Sequence, residues 1–220
     1  MGRYRCVFFD FDGTLVNSEI SIVDSVRYSL KKKGMIESDL NKLRKFIGPP
    51  LIDSYMNLYG FSKEEAEKAV EDYRYIYKKQ NMLRVDIYDG ICQTLDSLKK
   101  KGLVLCIASS KPLPMVEKIA KHLDIEKYFE AIFGATLDGR ILNKEDVLGE
   151  ALAYLKSRHP DITVKDILMV GDRRYDAIGA NFFGIDCAGV TYGFSEEGEL
   201  EEAGCLYIVD RPEELISIVT

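Results

Sequence analysis

Six short apolar runs alternate with helix-length amphipathic segments, and this alternation fixes the class of fold. The runs cover 6–9, 103–108, 131–133, 167–170, 185–190 and, more weakly, 206–209. Helical patterns fill 90–101, 113–123, 144–157, 175–183 and 212–219. Strands separated by single helices pair in parallel, because each helix provides the crossover that returns the chain to the same sheet edge. The expectation is a doubly wound, Rossmann-like α/β core built on a parallel sheet.

One stretch breaks the alternation. From Ser18 to Arg84 only helix-like patterns occur. Ile20, Val23, Val26, Tyr28 and Leu30 lie on or near one face of a first helix that Gly34 ends. Ser62, followed three residues later by Glu65, has the form of an N-cap opening another helix. An insert of about 70 residues is too long for a loop. The expected domains are therefore an α/β core of 1–15 and 89–220 and an all-helical cap of 16–88. A cap over the carboxyl ends of the strands would cover the place where open α/β sheets bind ligands.

Composition narrows the rest. With 46% hydrophobic residues, 17 Gly and 6 Pro, the chain is neither disordered nor low in complexity. No apolar stretch approaches 18 residues, and the start, Met-Gly-Arg-Tyr-Arg-Cys, lacks an apolar signal core. A net charge of −6 argues against nucleic-acid polymers and anionic membranes. Cys6, Cys92, Cys106, Cys187 and Cys205 are odd in number and form no Cys-x-x-Cys pair. They read as reduced thiols, which places the chain in the cytoplasm.

Acids at strand ends carry the chemistry. The first run ends in Asp10-Phe-Asp12-Gly13-Thr14. Two carboxylates one residue apart point to the same side of an extended chain and repel unless a cation or proton offsets them. Gly13 permits a sharp turn, and Thr14 offers a hydroxyl and a backbone N–H to an oxyanion. A second acidic strand end reads Gly171-Asp172-Arg-Arg-Tyr-Asp176. With both strands central in one sheet, Asp172 and Asp176 come near Asp10 and Asp12, and an all-oxygen set of this kind suits Mg2+ better than zinc. Asp176 equally suits a first-turn acid favoured by the helix dipole.

Ser109 and Ser110 end the second core strand before a helix, where hydroxyls and N–H groups hold phosphate, or simply cap and turn. Lys144 opens a helix, where its charge opposes the dipole unless an anion lies nearby.

In order and spacing, Asp10-Phe-Asp-Gly-Thr, Ser109, Lys144 and Gly171-Asp-x-x-x-Asp176 resemble the four motifs of the haloacid dehalogenase-like (HAD) hydrolase superfamily. The helical insert occupies the position of that family's type-1 cap. The resemblance implies that Asp10 is a nucleophile forming an aspartyl-phosphate and that Asp12 is the general acid and base. It implies that Ser109 holds a phosphoryl oxygen and that Lys144 neutralises charge. It also implies a Mg2+ site of Asp10, the Asp12 carbonyl and Asp172, with Asp176 binding the metal or orienting its ligands. The second aspartate, absent from the family's dehalogenases, points to phosphoryl chemistry.

Phe46-Ile-Gly-Pro-Pro-Leu, Leu137-Asp-Gly with Asn143-Lys144, and Gly189-Val-Thr-Tyr-Gly resemble the 5′-nucleotidase-like and phosphoglycolate phosphatase-like branch. Lys144 lacks the following Pro-x-Pro common in phosphoglycolate phosphatases and β-phosphoglucomutases, and Asn17 stands where many relatives have Asp. The expected activity is a phosphatase acting on a small phosphorylated metabolite, with nucleoside 5′-monophosphates ahead of phosphoglycolate or sugar phosphates. A phosphomutase and a non-catalytic phosphate-binding protein are the rival readings. Arg44, beside Lys45, and Gly48 begin a rigid loop that would meet the leaving group; they equally suit a helix end. The expected assembly is a monomer or homodimer.

Overall fold

The computed structural model describes residues 2–219. These residues fall into two compact units, one running to Val16 and resuming at Ile87, the other spanning Asn17–Asp86.

In the first unit, strands β1 (Cys6–Phe9), β4 (Val104–Pro112), β5 (Ala131–Ala135), β6 (Ile167–Gly171), β7 (Asp186–Val190) and β8 (Tyr207–Val209) form one sheet in the order β5-β4-β1-β6-β7-β8. All of its strand pairs are parallel. Helices α5 (Ile91–Lys100), α6 (Leu113–His122), α7 (Lys144–Arg158), α8 (Arg174–Phe182), α9 (Glu199–Glu202) and α10 (Leu215–Ile218) complete the unit. This is the α/β Rossmann-like architecture that the alternation implies.

All four residues of β1 are buried, as a strand covered on both faces requires. Cys6, Phe8, Cys106, Ala108, Ile167, Met169 and Cys187 join residues of α7 and α8 in one continuous apolar core. β1 and β6 hold the two central places, so the chain leaves their carboxyl ends side by side. Asp10 N–H extends that pairing, donating to Val170 O at 2.8 Å. β4 runs further than its apolar core, through Ser109 to Pro112, with a register shift against β5 between those residues.

The second unit contains α1 (Glu19–Lys32), α2 (Leu40–Arg44), α3 (Leu51–Tyr59) and α4 (Lys63–Ile76). Ser62 caps α4 through a reciprocal pair: Glu65 N–H donates to its hydroxyl at 3.2 Å, and its own N–H donates to Glu65 at 2.8 Å. The apolar face of α1 differs from the sequence expectation. Ile20 is exposed, and Ile22 is buried with Ser21, Ser25 and Ser29. Each serine hydroxyl donates to a carbonyl of its own helix turn, which lets it lie on a buried face. Two short strands at the edges of the insert, β2 (Val16–Asn17) and β3 (Asp86–Ile87), pair in a separate two-stranded sheet.

Candidate active site

The site gathers at the carboxyl ends of β1, β4 and β6. Oxygens of Asp10, Asp172 and Asp176 lie within 4.8 Å of one another, and all three residues are buried. Three buried carboxylates in so small a volume repel strongly. Burial pushes the Asp10 carboxyl up to about 6; Lys144 opposes that rise, while Asp176 and Asp12 add to it. Burial and the charges of Asp176 and Asp10 push the Asp172 carboxyl well above its ordinary range.

Lys144 is the internal counter-charge. Its ammonium donates to Asp10 Oδ1 at 2.6 Å and to Ala108 O at 2.8 Å, and it lies 2.7 Å from Asp176 Oδ1. Three acceptors match the three donors of a lysine ammonium. The acids hold its charge firmly, raising its pKa despite complete burial. Lys144 is the first residue of α7, a place opposed by the helix dipole, and its two carboxylate partners explain how the charge is tolerated there. Gly179 on α8 makes room for the stem: a Cβ there would lie 2.7 Å from Lys144 Cγ.

Backbone geometry brings the acids this close. Gly13 has φ +86°, in the left-handed region, and a Cβ on it would lie 2.1 Å from Asp172 Oδ2. Asp172 accepts from Phe194 N–H at 2.8 Å and, more weakly, from the Thr14 hydroxyl at 3.3 Å. A Cβ on Gly171 would lie 2.1 Å from Asp176 Cγ.

Asp12 differs from the arrangement expected for the four acids. Its carboxylate does not join the cluster of three; Lys111 Nζ donates to its two oxygens at 3.0 and 2.8 Å. Asp12 follows the end of β1 and forms an isolated bridge with Val16, so strict strand alternation no longer governs its direction. Lys111 was not singled out in the sequence. The signal was a lysine two residues past the strand-end Ser109, on a strand that continues beyond its apolar run.

Ser109 is buried at the end of β4, its hydroxyl accepting from Lys111 N–H at 3.3 Å, and Ser110 is half-buried beside it. The donors expected of Gly13 and Thr14 for an oxyanion are engaged within the fold: the Thr14 hydroxyl is directed to Asp172, Gly13 N–H donates to Val16 O at 2.9 Å, and Thr14 N–H donates to Phe11 O at 3.4 Å, because the tight turn after β1 closes on its own carbonyls. Arg44 and Gly48 belong to the second unit, where Arg44 pairs with Glu19 at 3.0 Å. His159, given no role by the sequence, lies against Glu130 at 2.8 Å.

The donor set fits a hard divalent cation. The cluster offers carboxylate oxygens only, without nitrogen or sulfur, and it contains more negative charge than Lys144 offsets.

The family description "haloacid dehalogenase-like hydrolase" matches residues 7–190. The chain belongs to this family. It is an enzyme of the phosphatase class, a phosphoric monoester hydrolase. A 5′-nucleotidase of Pseudomonas aeruginosa is 37% identical over 198 residues, covering 90% of this chain and 87% of that protein. A tyrosine-protein kinase, PtkA, of Mycobacterium tuberculosis is 36% identical over 190 residues, covering 86% of this chain and 63% of that protein. The crystal structure of a predicted phosphatase from Clostridium acetobutylicum matches with a TM-score of 0.90 and 43% identity, covering 97% of each chain.

Among the described residues, no helix is long and apolar enough to cross a membrane.

Proposed function

We propose that the chain is a Mg2+-dependent phosphatase that cleaves a small phosphate monoester through a phosphorylated Asp10. The observation that carries this reading is Lys144, buried between Asp10 and Asp176 with Asp172 completing the acidic cluster.

Asp10, Asp172 and Asp176, with the Asp12 carbonyl, would hold Mg2+, whose charge lets an anionic nucleophile meet an anionic ester. Asp10 attacks phosphorus, forming an acyl-phosphate bond while the ester P–O bond breaks. Asp12 gives its proton to the departing alkoxide. It then takes a proton from the water that attacks phosphorus, and this step releases inorganic phosphate and restores Asp10. Dividing the displacement in two is the gain of covalent catalysis. Lys144 fixes Asp10 Oδ1, leaving its other oxygen for attack. Ser109 and Ser110 bind the phosphoryl oxygens.

Leaving-group selection is assigned to the helical unit, with Arg44 and Gly48 as its proposed specificity residues. Nucleoside 5′-monophosphates are the proposed substrates, a choice supported by the Pseudomonas 5′-nucleotidase relative. Five free cysteines suit a reducing, cytoplasmic setting.

The test is phosphate release from an aryl phosphate and from a panel of phosphorylated metabolites. The reading expects Mg2+-dependent turnover, lost in Asp10→Asn and in chelator, with nucleotides among the best substrates. Equal release in the variant or in chelator rejects the mechanism. Inert nucleotides beside a well-turned-over phosphoglycolate or sugar phosphate reject the substrate choice. A bisphosphorylated sugar isomerised without net phosphate release would establish a mutase instead.

A further inference from the structure

The segment after β7, residues 192–199, lies outside all four motif positions, yet it holds both acid-bearing loops. Tyr192 OH donates to Thr14 O at 3.1 Å, on the turn that follows Asp10 and Asp12. Phe194 N–H donates to Asp172. Gly193 is pressed between them: a Cβ there would lie 2.3 Å from Asp172 Cβ and 2.4 Å from Gly13 O.

Glu199 closes the segment and is 2% exposed. Its Oε1 accepts from Arg173 Nε at 3.0 Å and from Arg174 N–H at 2.8 Å. Its Oε2 accepts from Glu196 N–H at 2.9 Å. Burial pushes the Glu199 carboxyl up, but the backbone and guanidinium donors together outweigh it and hold the carboxyl below its ordinary pKa. A buried carboxylate with both oxygens engaged is costly to disturb and has one geometry.

Arg173 and Arg174 are the first residues after Asp172, and Asp176 follows two positions later. Arg173 N–H itself donates to Asp176 Oδ2 at 3.1 Å. Glu199 therefore grips the short loop that spaces two of the three clustered acids, from a point 23 residues beyond the second of them.

We propose that Glu199 is a positioning residue that sets the spacing of Asp172 and Asp176 for a divalent cation. The proposal rests on the reading that these acids bind such an ion. Outer residues that orient metal ligands change affinity by about 10- to 100-fold when lost. Glu199→Gln keeps the size and removes the charge that binds Arg173. It is expected to weaken binding by about tenfold on that scale while retaining the fold.

The experiment titrates Mn2+ into the whole chain and follows free Mn2+ by electron paramagnetic resonance, with circular dichroism as the check on folding. Wild type is expected to bind one ion, Asp172→Asn to lose it, and Glu199→Gln to bind it about tenfold more weakly. Affinity in Glu199→Gln equal to wild type, with Asp172→Asn defective, overturns the role of Glu199 alone. Absence of binding by wild type, or unchanged binding in Asp172→Asn, overturns the cation reading and this proposal with it. If Glu199→Gln does not fold, Arg173→Met removes the other half of the contact. Weakened Mn2+ binding in that folded variant supports the proposal, and unchanged binding rejects it.

Discussion

Lys111 Nζ donates to both carboxylate oxygens of Asp12, at 2.8 and 3.0 Å, across 99 positions of sequence. Lys144 does the same service for Asp10 and Asp176. Two lysines thus divide the acids by partner, and in the proposed mechanism the Lys144 pair holds the metal while Asp12 handles the proton. Removing Lys111 frees Asp12 from its place. In Lys111→Met, turnover of an alkyl phosphate is expected to fall by roughly the 10²- to 10⁴-fold that a positioned acid contributes. Turnover of 2,4-dinitrophenyl phosphate, whose leaving group departs without a proton, should fall far less. Steady-state kinetics on the two substrates checks this; equal losses on both contradict the division.

Lys144→Met strips away the charge that pairs with Asp10 and Asp176. Breaking a buried ion pair by deleting one partner costs roughly 3–5 kcal/mol. The unfolding midpoint in urea should drop accordingly, and millimolar Mg2+ should recover part of the loss. A variant as stable as wild type without Mg2+ would show that the three acids do not repel as their burial requires.

Protonation of the acids sets a pH dependence. The folded chain raises the Asp10 carboxyl to about 6 and the Asp172 carboxyl well above its ordinary range. Between the ordinary carboxylate range and about 6, the folded state binds more protons than the unfolded one. The metal-free protein therefore loses their contribution to stability as pH rises through that window. Mg2+ binds the ionised acids and offsets the loss. The Tm gain on adding Mg2+, measured by calorimetry, is expected to grow from pH 5 to pH 8. A gain that shrinks with pH contradicts the assignment.

Gly193 has no room for a methyl group, whereas Gly34 has nothing within 4 Å of a Cβ. Gly193→Ala should cost about 1–3 kcal/mol from overpacking and reduce Mg2+-dependent phosphate release sharply. Gly34→Ala pays only for its left-handed φ of +76° and should leave phosphate release unchanged. Denaturant melts and phosphate assays on the two variants measure the contrast. Equal activity in both variants would show that crowding at Gly193 does not displace the acids.

The sequence made much of this legible because its strongest signals are local. A buried run ending in Asp10-Phe-Asp-Gly, and another ending in Gly-Asp, locate two strand ends whatever surrounds them. Lys144 was legible as a charge at the wrong end of a helix. The partners of Asp12 and Glu199 were not, because sheet register and a loop return bring Lys111, Arg173 and Arg174 to them. Ser21, Ser25 and Ser29 misled for a different reason: hydroxyls bonded within their own helix make polar letters behave as core residues. Their four-residue spacing follows the helix, but a polar residue type gives no sign that the face it marks is buried.

The central claim is that Asp10 becomes phosphorylated. Rapid quenching during turnover, borohydride reduction and peptide mass spectrometry test it directly, since reduction converts an aspartyl-phosphate to homoserine. The account predicts homoserine at position 10, formed only with substrate and Mg2+ present and absent from Asp10→Asn. Unmodified Asp10 during active turnover, or homoserine at another acid, would contradict it.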